Sequence, residues 1–291
     1  MTGDPQRTKQ VRLATVATLS IVMVLVVYVI AIRTHIGQRL DAVAFDRRSA
    51  VTQVTTRRTD RLLGTVSIAS LFGFGGLLVL IAFARRRVAL AVAAGLAMSG
   101  AVVTTEVLKK LVLTRPDLGV FGGESFNTYP SGHATIGMTL SLGAVMVAPP
   151  SLRRLALAIA AFTSTAFGTA VLSSGWHRPS DTIGAYFVTL AWFAGVSALV
   201  VSREHALDEE RATSPDPAPS PALLGLAAAA VLAILLFVLW KSVSATGLRT
   251  VVYAAPYVLA CIGIDLAGIA VVGTYYILQR TCARGGRPTS T

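Results

Sequence analysis

Polar surface is what this sequence has least of. Of 291 residues only 14% are charged while 54% are hydrophobic, and the mean hydropathy is +0.66, too little polar material to coat a water-soluble core of that size. Composition alone therefore indicates a membrane protein, and disorder, which needs the reverse balance, is excluded over most of the length. Glycine every third residue and sustained heptads are both missing, so collagen and coiled coil are excluded as well. Cysteine is nearly absent. Cys261, in an apolar run, and Cys282, near the C-terminal end, cannot build a disulfide framework or a four-ligand zinc site. Acidic residues are scarce too, 14 against 26 Lys and Arg, for a net charge of +12. Such a balance invites a nucleic-acid reading, but the basic residues gather in short clusters at the ends of apolar runs (Arg85 to Arg87, Lys109 and Lys110, Arg153 and Arg154), where spanning helices meet anionic headgroups. Membrane lipids are the expected partners, and no nucleic acid is.

A hydrocarbon core about 30 Å thick takes about 20 residues of helix, so length and flanking charge cut the chain into spans. Eight are expected, at 13–32, 65–84, 88–108, 133–148, 155–173, 182–201, 222–240 and 251–278. The fourth is short; the eighth is long enough to tilt or break. The first follows Arg7, Lys9 and Arg12 like a signal peptide's start, but its apolar stretch is too long, and it reads as a retained span. The fold class expected is all-α, a polytopic membrane helical bundle. Its parts are a six-span core over 1–201, a flexible acidic and then Pro/Ser-rich linker over 202–221, a two-span hairpin over 222–279 and a tail over 280–291. In the charged connection at 33–64 an interfacial amphipathic helix is expected near residues 36–45. Lys and Arg divide equally between the two sides, 13 each, so charge gives no orientation.

Polar loops beside helix ends are where a membrane protein's chemistry is sought, and three clusters stand out. At the exit of the third span are Lys109, Lys110, Arg115 and Pro116, with Pro116 expected to stop the helix; a lysine and an arginine converging there can bind one anion, the arginine as a fork matched to phosphate. Opening the fourth span are Pro130, Ser131, Gly132 and His133, whose first-turn amides form an anion site that the glycine leaves open to close approach. A plain helix cap by Ser131 is the competing account. Before the sixth span run Trp176, His177, Arg178, Pro179, Ser180 and Asp181; the four-residue step lets the carboxylate hold one imidazole nitrogen and make the other a nucleophile or base, with Trp176 an interface anchor. If spans three to six alternate, all three clusters meet on one side of the membrane. Two histidines, cations, a carboxylate and free amides on one face suit phosphoryl transfer to histidine without a metal.

On these residues the chain resembles the type 2 phosphatidic acid phosphatase family of integral membrane lipid phosphatases. That family's signature is Lys, six residues, Arg-Pro; then Pro-Ser-Gly-His; then Ser-Arg, five residues, His, three residues, Asp. Pro130 to His133 and the His177–Asp181 pair match in full. Two departures are visible: five residues separate Lys109 from Arg115 and four separate Lys110 from it, so either could fill the lysine's place, and the Ser-Arg pair falls on Ala170 and Val171. What the resemblance implies is a nucleophile in His177, held by Asp181, an acid and base in His133, and phosphate contacts from Lys109 or Lys110, Arg115, the Ser131 and Gly132 amides and, for the missing arginine, Arg178. No metal or organic cofactor is implied. The implied substrate is a lipid phosphomonoester or diphosphate at an extracytoplasmic site; four Lys against 22 Arg suit a GC-rich bacterial genome and hence a bacterial plasma membrane. The lost arginine prompts an alternative, a silent relative that only binds lipid phosphate. Asp265, a carboxylate in the last span, prompts another, a transporter or flippase. The final helix pair, outside the motifs, is expected to pack on the core, widen lipid access or form a homo-oligomer contact.

Overall fold

A computed structural model describes residues 5–49, 71–120, 126–208 and 248–280. The expected span at 222–240, most of the linker, the tail after residue 280, the connection after residue 49 and the start of the second span lie outside the described residues.

The molecule is an all-α polytopic bundle, with no strand among the described residues. Helix α1 (Pro5–Val27) continues through a π-helical turn (Tyr28–Ile32), and α2 (His35–Arg47) follows at once. After a π turn (Leu71–Gly75) come α3 (Gly76–Ala84) and α4 (Val88–Val107), the latter prolonged by a third π turn (Leu108–Val112). The rest are α5 (Gly132–Val147), α6 (Arg153–Ser173), α7 (Pro179–Asp208) and α8 (Leu248–Arg280). Among the described residues five stretches are long and apolar enough to cross a membrane: Gln6–Ile32, Val88–Val112, Pro150–Ser173, Pro179–Val200 and Val252–Gln279.

Helix α5, 16 residues and so about 24 Å long, is shorter than the hydrocarbon is thick. It compensates by position. Met138 and Leu142 are fully buried among its neighbours, and its hydroxyls are satisfied within the helix: Thr135 donates to the Ser131 carbonyl at 2.8 Å and Ser141 to that of Gly137 at 2.9 Å. Around it, one apolar core joins Ala94 and Met98 of α4, Leu172 of α6, Tyr186 and Phe193 of α7, and Ile264, Val272 and Tyr275 of α8. The last helix is thus part of the same core as the helices that carry the motifs. Polar clasps fix its register: Ser173 and Tyr257 hydroxyls meet at 2.7 Å, and Gln279 donates to Ser197 at 3.0 Å. It runs unbroken through Pro256.

Two boundaries and one helix face differ from expectation. Helix α7 continues to Asp208, into the expected linker, because Arg203, Glu204, Ala206 and Leu207 are helix formers and the first proline comes only at Pro215. The third span ends at Leu113, whose backbone is extended, rather than at Pro116. The interfacial helix forms where it was expected, with Thr34 as its cap accepting the Gly37 N–H at 3.0 Å, but its amphipathicity is inverted. Gln38 and Asp41 are buried against the bundle while Ile36 and Leu40 face outward, as suits a helix whose outer neighbour is lipid.

Candidate active site

The end of the bundle where α4 stops and α5 and α7 begin carries all three motifs. Here α4 ends in a π turn and the chain becomes extended at Leu113. Asn127 holds that exit in place: its Nδ2 donates to the carbonyls of Lys109 (3.1 Å), Leu113 (2.9 Å) and Tyr129 (3.1 Å), covering acceptors that a helix end leaves open. Gln38 of α2 donates to the carbonyls of Ile32 and Pro116 at 2.8 and 2.9 Å, and the buried Tyr129 hydroxyl donates to Val24 at 2.6 Å. The loop between α4 and α5 is therefore tied at several points to the first two helices.

Ser131 caps α5, its Oγ accepting the Ala134 N–H at 3.2 Å, and its own N–H donates to the Asp181 carbonyl at 2.9 Å. The expected cap account of Ser131 is thus realised, and its amide is already engaged. Of the first-turn amides this leaves those of Gly132 and His133 without an intrahelical acceptor, pointing out of the helix end. A Cβ built on Gly132 would fall 3.0 Å from Glu106 Oε1 and 3.5 Å from Lys109 Nζ, so the glycine lets the α5 terminus and the Lys109 ammonium approach each other. Between the two lysines the geometry discriminates. Lys109, 18% exposed, turns toward Gly132; Lys110, 68% exposed, meets the other oxygen of Glu106 at 2.9 Å on the outside.

The third motif closes the site. The rings of His133 and His177 lie 6.3 Å apart between centroids, inside the roughly 8 Å that in-line attack opposite an acid requires, and Trp176 packs edge-on against His133 at 4.8 Å rather than serving only as an anchor. His177 Nδ1 is 3.4 Å from Asp181 Oδ2, so Nε2 is the nitrogen left for chemistry. Asp181 is fully buried and heavily engaged. Its Oδ2 accepts Thr128 Oγ1 at 2.6 Å and the Arg178 N–H at 3.0 Å, and its Oδ1 accepts Arg115 Nη2 at 3.2 Å. Arg115, expected on the phosphate, thus spends one nitrogen on this carboxylate. Arg178 reaches Thr128 Oγ1 at 3.3 Å. Burial first, and then the Arg115 charge, pull the Arg178 guanidinium below its ordinary value while Asp181 opposes them, and it keeps its proton.

Four contributors escaped the sequence reading. Glu106 is one turn before both lysines, a helix ion-pair spacing that was legible. Asn127 and Thr128 stand just ahead of Pro130 in a loop with no periodicity to mark them. Asp41 was invisible, because its partner is 139 residues away: its carboxylate accepts the Ser180 N–H at 3.2 Å and the Ser180 hydroxyl, capping α7 from α2. Burial, and after it the nearby Asp181, push the Asp41 carboxyl up to about 7. In contrast Val171, where the family pattern has arginine, is fully buried, and α6 brings no basic residue to its last turn.

A family model described as PAP2 superfamily matches residues 49–204, more than half of the chain and all three motifs. No curated protein and no solved structure matches it.

Proposed function

The chain belongs to the PAP2 superfamily, and on that premise we propose that it is a metal-independent membrane lipid phosphatase working through a phosphohistidine. The observation that carries this reading is the opposition of two imidazoles 6.3 Å apart, one backed by a buried carboxylate, beside the open α5 terminus and the Lys109 ammonium.

In the proposed reaction His177 Nε2 attacks phosphorus, forming an N–P bond as the bond to the leaving oxygen breaks. His133 gives its proton to that oxygen, releasing the lipid alcohol, or the lipid monophosphate when a diphosphate is cleaved. Asp181 holds the His177 ring and balances the imidazolium charge. Neutral His133 then takes a proton from water as its oxygen attacks phosphorus; the N–P bond breaks and inorganic phosphate leaves. Lys109, Arg115, Arg178 and the outward amides of Gly132 and His133 hold the phosphoryl oxygens throughout, each preorganised donor contributing about 3 kcal/mol to lowering the barrier. A phosphate site at a helix-end layer suits an amphiphile whose headgroup lies there while its tails stay in lipid. The membrane is proposed to be a bacterial plasma membrane with the site on its outer side, and residues 1–201 to form the catalytic core.

The test is phosphate release from phosphatidic acid, phosphatidylglycerophosphate and polyprenyl phosphates and diphosphates by purified protein, with alkaline-quench trapping of the phosphoenzyme. Hydrolysis of at least one substrate, with an acid-labile, base-stable phosphoenzyme absent from His177→Ala, is expected. No release from any of them in detergent or liposomes would overturn the reading in favour of a silent phosphate-binding relative, the alternative that buried Val171 supports.

A further inference from the structure

The cations already assigned to the site, Lys109, Lys110, Arg115 and Arg178, outnumber its carboxylates, Glu106 and Asp181, by two. Glu106 faces Lys109 and Lys110, and Asp181 faces Arg115 and the Arg178 loop, all at ion-pair or hydrogen-bond distance. A phosphate dianion entering there would use up that surplus, and α6 supplies no further cation from its last turn. One further cation borders the same turn.

Arg48 lies just beyond α2. A Cβ built on Gly175 would fall 2.5 to 2.8 Å from its Nη2, Nε and Cζ, so the guanidinium rests on the backbone two residues before His177. That approach needs glycine twice over, since Gly175 also has φ +71°. The guanidinium is oriented from behind: it stacks on the Phe45 ring at 3.7 Å and donates to the Phe45 carbonyl. The same ring faces Arg178 at 5.9 Å, so two arginines share one aromatic neighbour, one of them next to His177 in sequence. Arg178 is buried, whereas Arg48 is half-exposed.

We propose that Arg48 is a phosphate-binding residue of this site, its planar fork taking an oxygen of the phosphate dianion next to the turn that carries His177. The inference rests on the phosphatase reading for its catalytic consequence, but phosphate binding can be measured without turnover. Arg48 lies just before the matched residues 49–204 and belongs to none of the three motifs.

Wild type, Arg48→Gln, Arg48→Lys and His177→Ala in detergent would be titrated with inorganic phosphate alone, followed by ³¹P line broadening, and assayed on a short-chain soluble and a long-chain dispersed phosphatidic acid. Thermal melts without phosphate accompany each. Loss of one charge-assisted contact predicts about ten- to a hundredfold weaker binding of inorganic phosphate by Arg48→Gln, a matching rise in KM on both lipids, partial recovery in Arg48→Lys and a melt close to wild type. A lowered melt with phosphate affinity unchanged would make Arg48 merely a cap of α2 and overturn the proposal. So would a defect confined to the long-chain substrate, since that would reflect membrane docking rather than phosphate. If wild type binds phosphate through Arg48 yet hydrolyses nothing, this inference stands and the phosphatase reading falls; hydrolysis unaffected by Arg48→Gln sinks this inference alone.

Discussion

Asp181→Asn is the perturbation that tests the site most severely, because it changes no shape. In the native site Oδ2 takes the Thr128 hydroxyl and the Arg178 N–H while Oδ1 takes Arg115. An asparagine can keep the two bonds on one side only by turning its amide nitrogen toward Arg115, donor against donor, with both side chains fully buried. The lost charge-assisted bond is worth about 1.5–3 kcal/mol, and separating a buried cation from its carboxylate costs about 3–5 kcal/mol altogether. The ring of His177 also loses the carboxylate charge 3.4 Å from its Nδ1, an effect worth about 10⁴ in kcat for a comparable buried Asp–His pair. The expectation is therefore double: a melting temperature lower by on the order of 10 °C in detergent, and kcat lower by at least about a thousandfold with KM little changed. Thr128→Val, which removes one of the bonds and no charge, should lower kcat by about tenfold with a much smaller shift in melting. If Asp181→Asn melts like wild type, or retains more than a tenth of its turnover, the buried carboxylate does not hold this site together and the argument built on it fails.

Lys109→Ala should lower kcat/KM by about a hundredfold, as for loss of one preorganised donor, while Lys110→Ala stays within about twofold; equal effects would refute the orientation of the two side chains about Glu106. Glu106→Gln removes the carboxylate that competes with substrate for Lys109, and a severalfold lower KM is expected from initial-rate kinetics. Asp41 supplies a pH test. Its folded value, about 7, lies above its ordinary 3.8, so the folded state favours the proton and stability falls as pH rises through that window. Melts of the wild type between pH 5 and 8 should show that loss, and Asp41→Asn, which can still accept one bond from Ser180, should flatten it; an unchanged slope would mean that Asp41 does not titrate there.

Much of this protein was legible one residue at a time. Apolar runs of about 20 residues dictate helices in lipid because nothing else satisfies the backbone there. The Pro130 to His133 and His177 to Asp181 stretches carry their chemistry in local order, a cap beside an open amide and a carboxylate one turn from an imidazole. The inward polar face of α2 and the place of α8 in the core were not legible, because both depend on what packs beside them. Gln38 and Asp41 look like the water face of an interfacial helix until the loop at Pro116 and the start of α7 take up their polar atoms.

What the sequence determined by itself was the solvent, the fold class and the candidates for the reactive groups, since hydropathy, helix length and motif spacing are local properties of the chain. Only the tertiary structure decided which of two adjacent lysines turns inward, that Arg115 answers to Asp181, and that Asp41 and Arg48 reach the site at all. Those are contacts across tens to more than a hundred residues of chain, set by how helices fill space around one another, and no period or spacing in a sequence encodes them.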